Sequence, residues 1–269
     1  MTREVEPSVL PETYTREYYE AHCHGHREFQ DSEGQVVPER LRIPLVLAKI
    51  EPGMYVLDVG CGRGEILIHT ARCGARVFGF DYATASLEVA ASTIFERPVA
   101  NLLLHVGNAK WLPYPDNCFD RVFMLDVVEH LYPAELHQAL IEVRRVLRAQ
   151  GRLIVHTMPN TWYYRFGYPL FRLVQQLRGQ ALPPDPRDRW GYKQVHVNEQ
   201  NLLLLRRELQ AAGLKATVWL DPIQSYDEEP NRFVRSIMCA LATLYPFRFV
   251  FCNDLFAIAT KQQTSWSTE

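Results

Sequence analysis

With 269 residues, 47% of them hydrophobic and 22% charged, the chain can build a sizeable core and is not a disordered polymer. Its 29 basic side chains face 31 acidic ones, a net charge of −2, which lacks the basic excess of a dedicated nucleic-acid coat. The start, Met1-Thr-Arg-Glu-Val-Glu-Pro, has no apolar leader, and the charge-free stretch 236–247 is too short for a bilayer, which takes about 20 residues. Six cysteines without a C-x-x-C pair suggest reduced thiols and a cytoplasmic setting.

The chain divides by composition. Residues 1–37 are acidic and carry Tyr14, Tyr18 and Tyr19. From 38 to 158, strand and helix signals alternate. Met54–Val59 reads as a strand running into glycines, and Glu65–Cys73 as a helix stopped by Gly74. Arg76–Phe80 is the next strand, ending at Asp81, followed by a helix over Ser86–Phe95 and a third strand over Asn101–Val106. Phe119–Asp126 is the fourth strand. Pro133 opens a helix with Leu136, Leu140, Val143 and Leu147 at helical spacing, ended by Gly151, and Arg152–Thr157 is the fifth strand. Residues 159–195 are rich in Pro, Arg and aromatics. Residues 196–261 add a helix over Glu199–Ala212, a strand over Leu214–Leu220, a helix over Asn231–Leu244 and a last strand over Phe249–Thr260; 262–269 is a polar tail. This alternation predicts an α/β fold: a mostly parallel sheet with helices on both faces, an antiparallel last strand at its edge, and ligands beyond the carboxyl ends of the strands.

Gly60, Gly62 and Gly64 sit at the first strand-to-helix turn, where glycine lets a ligand approach the backbone. Counting from Gly60, Glu65 stands where the third glycine of a dinucleotide fingerprint belongs, and Asp58 would repel a pyrophosphate. A cationic or zwitterionic ligand fits better. Asp81 can accept ribose hydroxyls, Tyr82 can pack on an adenine face, and Asn108 can exchange hydrogen bonds with an adenine edge.

Together, Val56-Leu-Asp-Val-Gly-Cys-Gly-Arg-Gly64, Gly79-Phe-Asp81, the run from Gly107 to Val122, Asp126-Val-Val-Glu-His-Leu131 and Val146-Leu-Arg-Ala-Gln-Gly-Arg-Leu-Ile-Val155 resemble the class I S-adenosylmethionine-dependent methyltransferases. The likeness is to the broad group with quinone-biosynthesis, sugar and natural-product enzymes. It implies a Rossmann-like sheet and S-adenosyl-L-methionine as cofactor, with S-adenosyl-L-homocysteine as product. The implied cofactor residues are Tyr19, Asp58, Gly60, Cys61, Gly62, Asp81, Tyr82, Asn108, Ala109 and Asp126. Asn108 stands where such families often carry Asp. By the same resemblance, 1–37 folds over the cofactor, 38–158 binds it, 159–195 covers the substrate and 196–261 completes the sheet.

Methyl transfer is a displacement in which the protein mainly aligns the partners, and an oxygen acceptor calls for a nearby base. His130, His156 and His196 are the catalytic candidates. His69 reads as structural, and His22, His24 and His26 as solvated. No metal is expected as the first reading. A second reading puts Asp126, Glu129 and His130 on one face of a helical turn, joined by His196, as a divalent-cation site like that of some related O-methyltransferases. The 159–195 segment has six basic residues against Asp185 and Asp188, beside seven aromatics, which suits an anionic, partly apolar acceptor. The plainer reading is a surface helix, Tyr168–Leu177, with arginines outward and aromatics inward; Phe233, Ile237, Ala240 and Leu244 could cap an apolar pocket or lean on a membrane surface, but are expected first in the core. The sequence thus points to methyl transfer onto a small-molecule acceptor, most simply a hydroxyl oxygen, with C or N acceptors open. No nucleic-acid partner and no transmembrane segment are expected, and a dimer is admitted but not required. The alternatives are a catalytically silent interaction module and an RNA 2′-O-methyltransferase.

Overall fold

The computed structural model describes residues 8–22, 37, 39–96, 98–190, 192–223 and 229–262. His24, His26 and the 263–269 tail lie outside the described residues. Among the described residues, seven strands form one sheet: β1 Tyr55–Val59, β2 Arg76–Asp81, β3 Leu102–Val106, β4 Phe119–Leu125, β5 Leu147–Thr157, β6 Leu214–Leu220 and β7 Leu255–Lys261. Their order is β3-β2-β1-β4-β5-β7-β6. β1 to β5 run parallel, and β7 pairs antiparallel with both β5 and β6. The last strand is antiparallel as expected, but it lies inside the sheet, and β6 forms the edge.

The helices are α1 Glu39–Ala48, α2 Glu65–Arg72, α3 Thr84–Glu96, α4 Pro133–Val146, α5 Tyr168–Leu177, α6 Pro186–Trp190, α7 Leu202–Ala211, α8 Arg232–Thr243 and α9 Arg248–Phe251. Side chains alternate across the central strands. Leu57, Val59, Val122, Met124, Leu153 and Val155 meet Leu136, Leu140 and Val143 of α4 and Leu205 and Leu209 of α7. Val56, Phe123, Leu125 and Ile154 meet Leu41 of α1, Ile66 and Leu67 of α2 and Leu87 of α3. With both faces covered, the central strands are mostly apolar, and β1 and β4 are buried along almost their whole length. Truncating a fully buried side chain such as Leu140 to alanine costs about 2–5 kcal/mol.

Several boundaries differ from the sequence expectation. The α4 helix ends at Val146, because Leu147 turns extended and pairs with Phe119; Gly151 lies inside β5 and stops nothing. Asn201 caps α7 by accepting from the Leu203 and Leu204 amides, so that helix starts three residues later than Glu199. Phe249 belongs to the helical turn α9, and the last strand begins only at Leu255. Phe233, Ile237 and Leu244 are exposed, where a core position was expected.

Candidate active site

The strand order reverses between β1 and β4, and beyond their carboxyl ends opens a cavity of about 750 Å³. The β1–α2 turn needs glycine for two separate reasons. Gly60 has φ +78° and a Cβ there would sit 2.3 Å from Val127 Cγ2; Gly62 has φ +50° and lies under Tyr19. All ten residues expected around the cofactor line this cavity: Tyr19, Asp58, Gly60, Cys61, Gly62, Asp81, Tyr82, Asn108, Ala109 and Asp126.

Asp58 is buried, and that burial, with Asp81 and Glu65 beside it, pushes its carboxyl up to about 8. Asp81 accepts from the Gly62 amide (3.2 Å), the Ala83 amide (3.0 Å) and Ser86 Oγ (2.7 Å). Most of its acceptor positions are engaged from within the chain, so a pair of ribose hydroxyls must compete with Ser86. Asn108 Oδ1 accepts from the Lys110 amide at 3.0 Å, which leaves its NH2 group for a ligand. The donor set suits S-adenosylmethionine: several buried acids gather where a sulfonium and an ammonium would neutralise them, and glycine keeps the backbone open.

A second network underlies the floor. Arg63 donates to Tyr19 O (3.1 Å) and Glu65 (2.9 Å), and Arg40 binds Asp126 at 2.7 Å. Asp126 has φ +56° and precedes a short helical turn, Val128–His130. It is therefore not on one helical face with Glu129 and His130, and its carboxylate is turned towards Arg40 and His156. His156 Nδ1 stands 2.5 Å from Asp126 Oδ1, and Nε2 stands 3.3 Å from Asp254 Oδ1. Burial lowers the basicity of this imidazole, but Asp126 and then Asp254 override it and raise it to about 10. Fully buried, His156 does not line the cavity; it positions Asp126 and cannot meet an acceptor.

His130 and His196 do line the cavity, with ring centroids 4.9 Å apart. Burial lowers them to about 4 and about 3. His130 Nδ1 lies 2.9 Å from Tyr14 Oη and 3.1 Å from Val195 O. A carbonyl only accepts, so the proton sits on Nδ1 and the lone pair on Nε2. Glu129 accepts from Thr157 Oγ1 at 2.7 Å; its burial, then Asp126, hold it above the usual carboxylate range. One ligating atom each from Glu129, His130 and His196 lies within 4.8 Å of the others, so three of the four expected metal residues converge and Asp126 does not.

Tyr163, Tyr164, Phe171, Gln175 and Arg189 from the 159–195 segment line the opposite wall with Ile223 and Met238. Three of that segment's six basic residues are in ion pairs: Arg187 with Asp185 (2.9 Å), Arg178 with Glu229 (3.1 Å) and Lys193 with Asp188 (3.0 Å). Of its six basic residues, Arg189 alone is among the described cavity residues. The sequence singles out neither the roles of Arg40 and Arg63, nor the Tyr14–His130 contact, nor the environment of Glu129, since each depends on partners far along the chain.

Residues 57–155 match a family model described as a methyltransferase domain. A demethylmenaquinone methyltransferase of Symbiobacterium thermophilum is 36% identical over 123 residues, covering 44% of this chain and 48% of that protein. A ubiquinone biosynthesis O-methyltransferase of Bartonella quintana is 30% identical, covering 45% and 47%. The chain thus spans about half the length of these curated relatives. The YcgJ protein of Bacillus subtilis superposes with a TM-score of 0.56 at 24% identity, over 84% of this chain and 99% of that one. Phosphoethanolamine N-methyltransferase 2 of Haemonchus contortus, solved with S-adenosyl-L-methionine, superposes with a TM-score of 0.59 at 17% identity, over 84% and 52%. At these identities the structural likeness is one of fold.

Proposed function

We propose, for a chain that carries a class I S-adenosylmethionine-dependent methyltransferase domain, that it transfers a methyl group to a hydroxyl oxygen on a small, largely apolar acceptor. One observation carries the reading: a single cavity joins the Asp58–Asp81 end to the buried Glu129–His130–His196 group. S-Adenosylmethionine, when bound, supplies an electrophilic methyl carbon on a sulfonium. The chain does the rest by alignment and by excluding water. Asp58, Asp81, Asn108 and the glycine turn hold the cofactor. Tyr14, Tyr18 and Tyr19 cover it from the N-terminal segment.

Glu129 is the base in this reading. A histidine lowered to about 3 or 4 is a weak proton acceptor, while a carboxylate raised by burial is a stronger one than usual. His130 and His196 shape the wall beside it, and His156 acts through Asp126. The opposite wall of Tyr163, Phe171, Ile223 and Met238 favours an aromatic or prenylated ring over a strongly anionic acceptor. The relatives' names, with their quinone precursors, support starting an acceptor panel with hydroxylated apolar rings.

A second reading has its own support: the convergence of Glu129, His130 and His196 within 4.8 Å suits a divalent cation that would bind the acceptor hydroxyl. The first experiment is calorimetric titration with S-adenosylhomocysteine, followed by the acceptor panel with and without EDTA. One-site binding and EDTA-resistant turnover support the base. EDTA-sensitive turnover with cofactor binding intact supports the cation. No binding by the folded protein favours a silent interaction module.

A further inference from the structure

We propose that the outward faces of α5 and α8, with the corner at residues 244–249, dock on an anionic phospholipid bilayer. An amphipathic helix on a protein surface ordinarily turns its apolar stripe inward. In α5 the stripe is reversed. Leu170, Leu173, Val174 and Leu177 recur at helical spacing and face out, Leu173 being 52% and Leu177 81% exposed, while Tyr168 and Gln175 are buried. On α8, Phe233 is 74% exposed and Ile237 shares its face, and Leu244 at the end of the helix is exposed too. Phe166, Tyr245, Phe247 and Phe249 are exposed too.

These parts form one surface. Glu229, just ahead of α8, accepts from Gln175 and Arg178 at the end of α5. Phe249 of α9 meets the Trp162 and Tyr245 rings with centroids 6.4 and 5.3 Å away. A joined apolar surface of this size on a folded protein marks an interaction site.

Charge selects the occupant. Residues 161–184 and 230–252 hold Arg165, Arg172, Arg178, Arg232, Arg235 and Arg248 and no Asp or Glu, in a chain of net charge −2. Glu229 neutralises Arg178 and Asp221 lies 3.9 Å from Arg248, while Arg165, Arg172 and Arg232 keep the surface basic. Two copies meeting face to face would bring like charges together, whereas anionic headgroups complement them. Neither helix is long and apolar enough to cross a membrane, so the contact is interfacial. The inner sides of the same helices, through Phe171, Gln175 and Met238, line the cavity. An apolar acceptor would then pass from the bilayer into the site beneath these helices. The docking itself does not depend on which reaction the cavity performs.

The test is flotation of the full chain with phosphatidylcholine vesicles, with and without phosphatidylglycerol, at low and high salt. Binding should require phosphatidylglycerol and weaken with salt. Leu173→Glu with Leu177→Glu should abolish flotation while S-adenosylhomocysteine binding persists. Arg165→Ser with Arg232→Ser, which leaves the apolar stripe intact, should reduce partitioning about 25-fold, each surface cation contributing about fivefold. Failure to float on phosphatidylglycerol vesicles overturns the proposal, as does unchanged flotation of the arginine variant. So does a solution dimer that Leu173→Glu separates, which would identify a second copy as the occupant.

Discussion

Asp126 Oδ1 and His156 Nδ1 stand 2.5 Å apart beneath the cavity, and Asp254 closes the other side of the imidazole at 3.3 Å. The raised value of about 10 means that His156 is cationic in the folded protein at neutral pH. Its ordinary value is near 6.5, so the stabilisation is complete below about pH 6.5 and is lost as pH rises through about 10. His156→Gln should cost about 3–5 kcal/mol at pH 6, because two carboxylates lose their shared cation. The difference should shrink towards pH 10. Denaturant unfolding of both proteins at the two pH values checks this, and an equal cost at both would refute a protonated His156.

The cofactor end makes a separate prediction. Burial, then Asp81 and Glu65, raise Asp58 to about 8, so the free protein holds a proton there at neutral pH. A cationic ligand group binds the carboxylate form. Affinity for S-adenosylhomocysteine should therefore rise with pH up to about 8, and Asp58→Asn should flatten that dependence. Asp81→Ala should weaken binding about 10- to 100-fold, the scale of a lost hydrogen bond to a charged group. Calorimetry across the pH series separates the two effects.

Glu129→Gln should lower kcat about 10²- to 10⁴-fold, the contribution of one positioned base, and leave the cofactor affinity unchanged. The wild-type rate should climb through an apparent pKa above the ordinary carboxylate value near 4.3, since burial and Asp126 raise Glu129. EDTA should leave turnover intact. A rate that collapses in EDTA and returns with a divalent cation would transfer the role of Glu129 from base to ligand.

The sheet and the glycine turn were legible because their signals are local. Apolar runs at Tyr55–Val59 and Phe119–Leu125 are buried on both faces, and Gly60 is demanded by its own φ and by Val127. Asp58 and Asp81 lie at strand ends fixed by the same pattern. His156 was misplaced because alternation puts it at the sheet's end without showing that Asp126 and Asp254 enclose it. The spacing of Asp126, Glu129 and His130 suggests one helical turn, yet the Asp126 φ of +56° turns its carboxylate towards Arg40. The stripe of α5 has the right period for burial; only the tertiary arrangement shows that nothing in the described chain covers Leu173 and Leu177.

The N-terminal segment is tied to the site by hydrogen bonds and ring contacts. His130 Nδ1–H points to Tyr14 Oη at 2.9 Å, the Tyr14 ring packs edge-on to Tyr82 with centroids 5.7 Å apart, and Tyr82 donates to Val9 O at 3.3 Å. The direction follows from the Val195 carbonyl, which fixes the imidazole proton on Nδ1. Tyr14 is thus buried between His130 and the ring expected to face adenine, and Tyr14, Tyr19 and Val9 pack with Ala83, Val89 and Val195. Tyr14→Phe removes one hydroxyl and leaves the ring in place. Val195 O still accepts from His130, so the cost should be that of one lost hydrogen bond, about 0.5–1.5 kcal/mol, and most of it should appear as loosened docking of this segment. Affinity for S-adenosylhomocysteine should fall about tenfold, and protease cleavage before Glu39 should speed up in the variant but slow when ligand is added. An unchanged affinity with faster cleavage would mean that the segment packs on the domain without covering the cofactor.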